Sequence, residues 1–233
     1  MSEAAALVFL VDVDNTLLDN DRFADDLGDI LTEAFGASER DRYWTLYEQL
    51  RDESGVADYL GALQRFRRGL DNEPALLQMS KYLLEYPFAD RLYPNALETL
   101  AHLRTLAPTV ILSDGDVVFQ PRKLEHAGIW AAVRGEVLIY VHKERMLVGM
   151  QQRYPAAHYV MVDDKPRILA AMKQQMGERL TTVFVSQGHY AADSASESIE
   201  PAPDVSIARI DELLGRELED FLPSAPPIAL PAD

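Results

Sequence analysis

Leu7-Val8-Phe9-Leu10-Val11-Asp12-Val13-Asp14-Asn15-Thr16-Leu17-Leu18 decides how the rest of this chain is read. A continuous apolar run, Leu7 to Val11, breaks into two carboxylates two residues apart and then a threonine. Apolar runs of this length, bounded by a polar loop, form strands buried on both faces. Asp12 and Asp14 then stand at the carboxyl end of a central strand, where open α/β sheets place their ligands. Two acids this close repel each other, so a cation or a shared proton is expected between them. Asp-Asn-Thr is also good turn and helix-cap chemistry, so the segments downstream have to decide.

Three of them do. Val110-Ile111-Leu112-Ser113-Asp114-Gly115 is a second apolar run, closed by a hydroxyl. Tyr140-Val141-His142-Lys143-Glu144 suits a strand end turning into a helix. Tyr159-Val160-Met161-Val162-Asp163-Asp164 ends in paired acids. Together with Asp12-Val13-Asp14-Asn15-Thr16 these segments resemble, in order, the four motifs of the haloacid dehalogenase superfamily of hydrolases, over about Leu7 to His189. Lys123 competes with Lys143 for the lysine of the third motif, but it lies inside the helix that follows the second. The resemblance implies a doubly wound, mostly parallel α/β sheet of Rossmann-like type, with an α-helical cap domain inserted after the first strand.

The pattern of elements agrees with that expectation. From Leu97 the order alternates as in a parallel sheet, with strands expected near Thr109–Leu112, Glu136–Val141, Tyr159–Val162 and Thr182–Val185. A short edge strand is expected within Ala202 to Ile207, and a last helix over Ile210 to Leu222. Between Thr16 and Pro94 the sequence reads as helices. One covers Asp19 to Phe35 and ends at Gly36; a second is capped at Ser38 with Asp41. A segment around Val56 to Phe66 follows, and another helix covers Glu73 to Leu84. Pro94 fits the first turn of a helix ending near Leu106. About seventy residues of helix is too much for a simple crossover and matches the family's cap, which closes over the site and excludes water. The expected division is 1–17 with 92–222 as the α/β core, 18–91 as the cap, and 223–233 as a Pro-rich tail. Asp193 to Glu200 reads as a Ser/Ala/Glu-rich loop.

Composition bounds the chemistry. With 233 residues the chain is long enough for a substantial core, and 48% apolar with 26% charged residues is the balance of a soluble protein. The absence of cysteine excludes disulfides, thiolate metal sites and a cysteine nucleophile. A formal charge of −16 argues against nucleic-acid binding and means that a phosphate substrate must be drawn in by a local cation. No stretch approaches transmembrane length, and the N-terminal apolar segment lacks a basic flank, so no membrane association and a cytoplasmic location are expected. The sequence leaves the oligomeric state open.

Residue by residue, the resemblance implies a magnesium-dependent phosphatase acting on a small-molecule phosphate ester. Asp12 is the nucleophile, Asp14 the acid and base, Ser113 a donor to the phosphoryl group, and Lys143 the counter-charge. Magnesium is expected on the Asp12 side chain, the Asp14 backbone carbonyl and the acids of the last motif, Asp164 with Asp163 beside it. The acid often found four residues later falls at Ile168, so Asp163 is left to supply that role. Thr16, Asp114, Gly115 and Arg22 are expected near the substrate, with Tyr43, Trp44 and Arg51 as candidates from the cap. The Asp114 and Asp116 side chains are expected to point away from a bound phosphate or toward the cap. An acid at position 14 separates the phosphoryl-transfer branch from the dehalogenases, which generally lack one. A phosphotransferase or phosphomutase, or a non-catalytic protein on the same scaffold, are the alternatives.

Overall fold

The computed structural model describes residues 4–70, 73–189 and 199–222. Six strands, β1 (Ala5–Val11), β2 (Thr109–Asp114), β3 (Val137–Tyr140), β4 (Ala156–Asp163), β5 (Leu180–Val185) and β6 (Val205–Ile207), form one parallel sheet in the order β3-β2-β1-β4-β5-β6. The chain builds outward from β1 on one side through β2 and β3, then returns to β1's other side with β4. That reversal makes the carboxyl end of β1 the switch point of the sheet.

β1 is central because it is apolar on both faces. Leu7, Phe9 and Val11 point into the layer that holds Leu100 and Leu103 of helix α5 (Ala96–Leu106). Val8 and Leu10 point into the opposite layer, with Met150 of α8 (Leu147–Arg153) and Leu169 and Met172 of α9 (Pro166–Met176). Each fully buried aliphatic chain of this kind contributes about 1.5–3 kcal/mol, so shifting the strand by one residue is strongly disfavoured. The remaining sheet-layer helices are α6 (Phe119–His126) and the single turn α7 (Ile129–Ala132).

Four helices, α1 (Asn20–Phe35), α2 (Ala37–Ser54), α3 (Tyr59–Phe66) and α4 (Pro74–Glu85), lie between β1 and α5 and form the helical cap. Asp19 caps α1, its carboxylate accepting from the Arg22 N–H at 2.9 Å. The two passages between cap and sheet run antiparallel, side by side. The Asp19 N–H donates to the Arg91 carbonyl at 2.7 Å and the Tyr93 N–H to the Leu17 carbonyl at 2.9 Å.

Two expected elements take a different form. α2 is not capped at Ser38: Gly36, at φ 87°, donates to Thr32 to end α1 and accepts from Arg40 to begin α2, so Ser38 falls inside the helix. Only glycine adopts that backbone without strain. The helix expected over Ile210 to Leu222 is instead two 3₁₀ turns, Ile210–Gly215 and Leu218–Phe221. Each has its own acidic cap, Glu212 accepting from the Arg209 N–H at 3.0 Å and Asp220 from the Glu217 N–H at 2.9 Å. The Pro-rich tail from 223 and most of the Ser/Ala/Glu-rich loop (193–198) lie outside the described residues. No helix among the described residues is long and apolar enough to cross a membrane.

Candidate active site

Four strand ends bring the motif residues together. Asp12 follows β1, Ser113 lies in β2, Lys143 opens the 3₁₀ turn after β3, and Asp163 ends β4 with Asp164 next to it. The Lys143 ammonium, 1% exposed, donates to an Asp12 oxygen, pairs with Asp163 at 2.7 Å and reaches the Leu112 carbonyl at 3.3 Å. The second Asp12 oxygen accepts from the Thr16 hydroxyl at 3.3 Å. Thr16, fully buried, therefore braces the first aspartate from behind rather than meeting a substrate, as was expected of it. The loop is held in turn by Gln187, whose amide donates to the Thr16 carbonyl at 3.1 Å.

Burial raises the Asp12 carboxyl to about 6 against the pull of the Lys143 ammonium. Burial opposes the charge of Lys143 too, but the carboxylates of Asp12, Asp163 and Asp114 outweigh it and hold the lysine firmly protonated. Lys165 stands likewise: burial opposes its charge, yet Asp12, Asp164 and Asp163 keep its pKa above the ordinary lysine range. Asp164 is different. It is fully buried, and neither of its oxygens accepts a hydrogen bond from any described residue. Burial pushes its carboxyl up to about 9.

The roles of the acidic pair thus separate. Asp163 is committed, to the Lys143 ammonium on one oxygen and the Lys165 N–H (2.9 Å) on the other. Asp164 has no hydrogen-bond partner among the described residues and has oxygen within 4.8 Å of oxygens of both Asp12 and Asp163. Three buried acids face the two ammonium groups of Lys143 and Lys165, and the acid in excess is the one that burial keeps protonated. A small hard divalent cation fits that donor set.

Asp14 lies at the floor of a cleft of about 610 Å³ between cap and sheet. Trp44, Tyr47 and Arg51 of α2 and Tyr59 of α3 line the cap side, while Asp114, His142, Lys165 and His189 line the sheet side. Asp12, 2% exposed, lies behind this floor, shielded from solvent. Tyr43, considered for the cap's substrate surface, is instead core: it has no exposed surface, and its hydroxyl donates to the Tyr59 carbonyl at 2.9 Å.

Other expected contacts are spent elsewhere. Arg22 points to the outer side of α1 and pairs with Asp26 at 3.1 Å, away from the cleft. The Gly115 N–H donates to the Tyr140 carbonyl at 2.9 Å and so is not available to a phosphate. A side chain at Gly115 meets Gln120 at 2.9 Å, which accounts for the glycine. Asp114 lines the cleft but accepts from the Lys143 N–H at 2.8 Å, and Asp116 accepts from the Val118 and Phe119 N–H groups where α6 begins. Both acids are thereby turned to backbone amides.

Lys123 is the residue sequence reading undervalued. Its ammonium, 1% exposed, donates to Asp14 at 2.7 Å and to Asn20 Oδ1 at 3.0 Å, and Gln120 donates to the other Asp14 oxygen at 3.2 Å and to Ser113 Oγ at 3.0 Å. The third-motif position and this one are therefore filled by separate lysines, one for each aspartate of the first motif. A signal existed: Phe119, Gln120, Lys123 and Leu124 share the buried face of α6, an apolar face on which a lysine is out of place. Of the five lysines in the chain (Lys81, Lys123, Lys143, Lys165 and Lys173), three stand at this site.

The family profile of haloacid dehalogenase-like hydrolases matches residues 7–175. The chain belongs to the haloacid dehalogenase-like hydrolases. Among solved structures it is similar, at 56% identity and a TM-score of 0.85, to a protein from Burkholderia xenovorans LB400 assigned to the same hydrolases; the match covers 91% of this chain and 99% of that one. It shares the fold of L-2-haloacid dehalogenase from Xanthobacter autotrophicus at 18% identity, covering 90% and 97% with a TM-score of 0.57. A Bacillus subtilis hydrolase of the family, crystallised with magnesium, is equally distant: 18% identity, 90% and 97% covered, TM-score 0.58. No curated protein matches the chain. Membership of the haloacid dehalogenase-like hydrolases makes this protein a hydrolase, and its structural neighbours include L-2-haloacid dehalogenases.

Proposed function

We propose that this hydrolase is a magnesium-dependent phosphatase of small phosphate monoesters. The observation that carries the reading is Asp164, a buried carboxylate without a hydrogen-bond partner beside Asp12 and Asp163, together with an acid at position 14. Halide leaves a haloacid without a proton, so the acid at position 14 favours a phosphate ester. Asp12, Asp164 and the Asp14 carbonyl would hold the magnesium, with Asp163 adjoining. When bound, the metal would neutralise phosphoryl oxygens that otherwise repel an anionic nucleophile.

The chain's own groups supply the rest. An Asp12 oxygen attacks phosphorus, the ester P–O bond breaks, and the leaving oxygen takes the Asp14 proton to depart as an alcohol. Water then attacks the aspartyl-phosphate and gives its proton to Asp14, restoring the Asp12 carboxylate and releasing inorganic phosphate. Lys143 offsets negative charge on Asp12 through both steps. Ser113 accepts from Gln120 and donates its hydroxyl to the Asp114 carbonyl at 3.3 Å, so it would serve the phosphoryl group by turning that hydroxyl from the carbonyl, while the cap keeps bulk water out. The magnesium-bound Bacillus subtilis relative supports the metal assignment at the level of the fold.

The test is hydrolysis of p-nitrophenyl phosphate with and without magnesium, run beside chloride release from 2-chloropropionate. Phosphate released only with the metal, and no chloride, is the expected result; chloride release instead makes the protein a dehalogenase. Passing the phosphoryl group to a sugar acceptor rather than to water would mark it as a phosphotransferase.

Metal binding should also depend on pH in a defined direction. Asp164 ionises near 9 in the folded metal-free protein and near 4 when unfolded. Its raised value costs stability progressively as pH climbs from about 4 to 9. A cation requires the ionised form, so binding releases that proton and apparent affinity climbs with pH, by up to about tenfold per unit, levelling above about 9. Magnesium titration followed by thermal unfolding at pH 6, 7 and 8 checks this. A pH-independent affinity would mean that Asp164 is not a ligand.

A further inference from the structure

The ion pair at Lys123 plays no part in the chemistry above. Its ammonium is ringed by Phe23, Phe88 and Phe119, with ring centroids 5.7–5.9 Å away. Burying an ammonium is costly, and an apolar chain of the same volume would fill this space at least as well. The charge has a specific use: one Asp14 oxygen accepts from Lys123 and the other from Gln120, so the carboxylate rests against α6. The same ammonium donates to Asn20, the first residue of α1, whose amide nitrogen lies 3.4 Å from the Tyr59 hydroxyl of α3. Asp14 is thus connected to two cap helices through one buried cation.

We propose that Lys123 is a positioning residue for Asp14, setting where its carboxylate rests and tying that place to the cap. The proposal rests on the phosphatase reading. One contact on each oxygen leaves further lone pairs free, so Asp14 meets a leaving group from a fixed place that is linked to the element closing over the substrate. Without the charge, Asp14 has no defined seat, and the step that needs its proton suffers most.

Lys123→Met keeps the volume among the rings and removes the charge. Activity is compared on phenyl phosphate, whose phenolate leaves poorly without a proton, and 2,4-dinitrophenyl phosphate, whose leaving group needs none. The variant should lose at least about tenfold more kcat/KM, which reports the leaving-group step and not the later hydrolysis common to both esters, on the first than on the second, in the same sense as Asp14→Asn. Equal losses on the two esters overturn the proposal and reduce Lys123 to a packing role. A wild type inert toward both esters with magnesium sinks the functional reading instead, and the pairing is then judged by unfolding alone. Lys123→Met, Asp14→Asn and the double variant should give non-additive shifts in Tm; additive shifts overturn the pairing whatever the activity.

Discussion

Asp12→Asn removes turnover of phosphate monoesters, by about 10⁶-fold if it acts as nucleophile knockouts do elsewhere, while leaving the protein folded. The expectation of an intact fold comes from what surrounds the residue. Lys143 keeps Asp163 at 2.7 Å when the Asp12 charge is gone, so no unpaired ammonium is left in the interior. The amide oxygen of the asparagine still accepts from Lys143 or Thr16, which are the partners the carboxylate has now. What is lost is a nucleophilic oxygen, and none of the neighbours replaces it: Asp163 is committed to Lys143 and Lys165, and Asp164 is reserved by the cation reading. The measurement is kcat on p-nitrophenyl phosphate with magnesium, beside the unfolding temperature of wild type and variant. A rate within tenfold of wild type would move the nucleophile to another residue, while an unfolded variant would show that Asp12 is needed for structure first.

Lys143→Met should damage both stability and activity, and this double loss separates it from Asp12→Asn. One ammonium serves two buried carboxylates here, Asp12 and Asp163. Removing it leaves both without their main counter-charge at the bottom of the site. Breaking a buried pair by deleting one partner costs about 3–5 kcal/mol, because the remaining charge stays desolvated. The fully buried methionine has no surface to move to and cannot bring water in. Turnover should fall on the order of 10²–10³-fold, the scale of removing one preorganised electrostatic contact. Urea unfolding measures the first effect and kcat the second. If stability is unchanged, the charge of Lys143 is not what holds Asp12 and Asp163 together.

Much of this arrangement was legible in the chain because single strands carry single messages. Leu7 to Val11 is apolar at every position, and only a strand between two helical layers has use for that; Asp12 and Asp14 then had to fall at its carboxyl end. The same reasoning places Ser113, Lys143 and the Asp163–Asp164 pair near strand ends. Residues whose placement depends on which way a helix faces were harder to read. Arg22 is close to the first motif in sequence, yet one turn of α1 carries it to the outside, to Asp26. Gly115 offered a backbone amide, but the amide was already used by Tyr140 across the sheet. Lys123 lies close to the second motif, and the buried face of α6 marks it as an unusual lysine without naming its partner, which is 109 residues away. The last helix failed because apolar spacing over Ile210 to Leu222 is satisfied equally by two short turns broken at Gly215.

The uneven use of lysine gives the molecule a built-in reporter. Lys81 stands on the surface with 71% of its side chain exposed, whereas Lys123 and Lys143 are each 1% exposed. An amine-directed acylating reagent therefore meets an accessible amine at Lys81 and closed ones at the centre of the chemistry. Pulsed labelling read by peptide mass should show Lys81 modified at once and Lys123 and Lys143 only as fast as the cap lifts. The ratio of those rates times the breathing of the site in a protein carrying no dye or isotope, and a substrate mimic that holds the cap down should slow the buried pair while leaving Lys81 untouched.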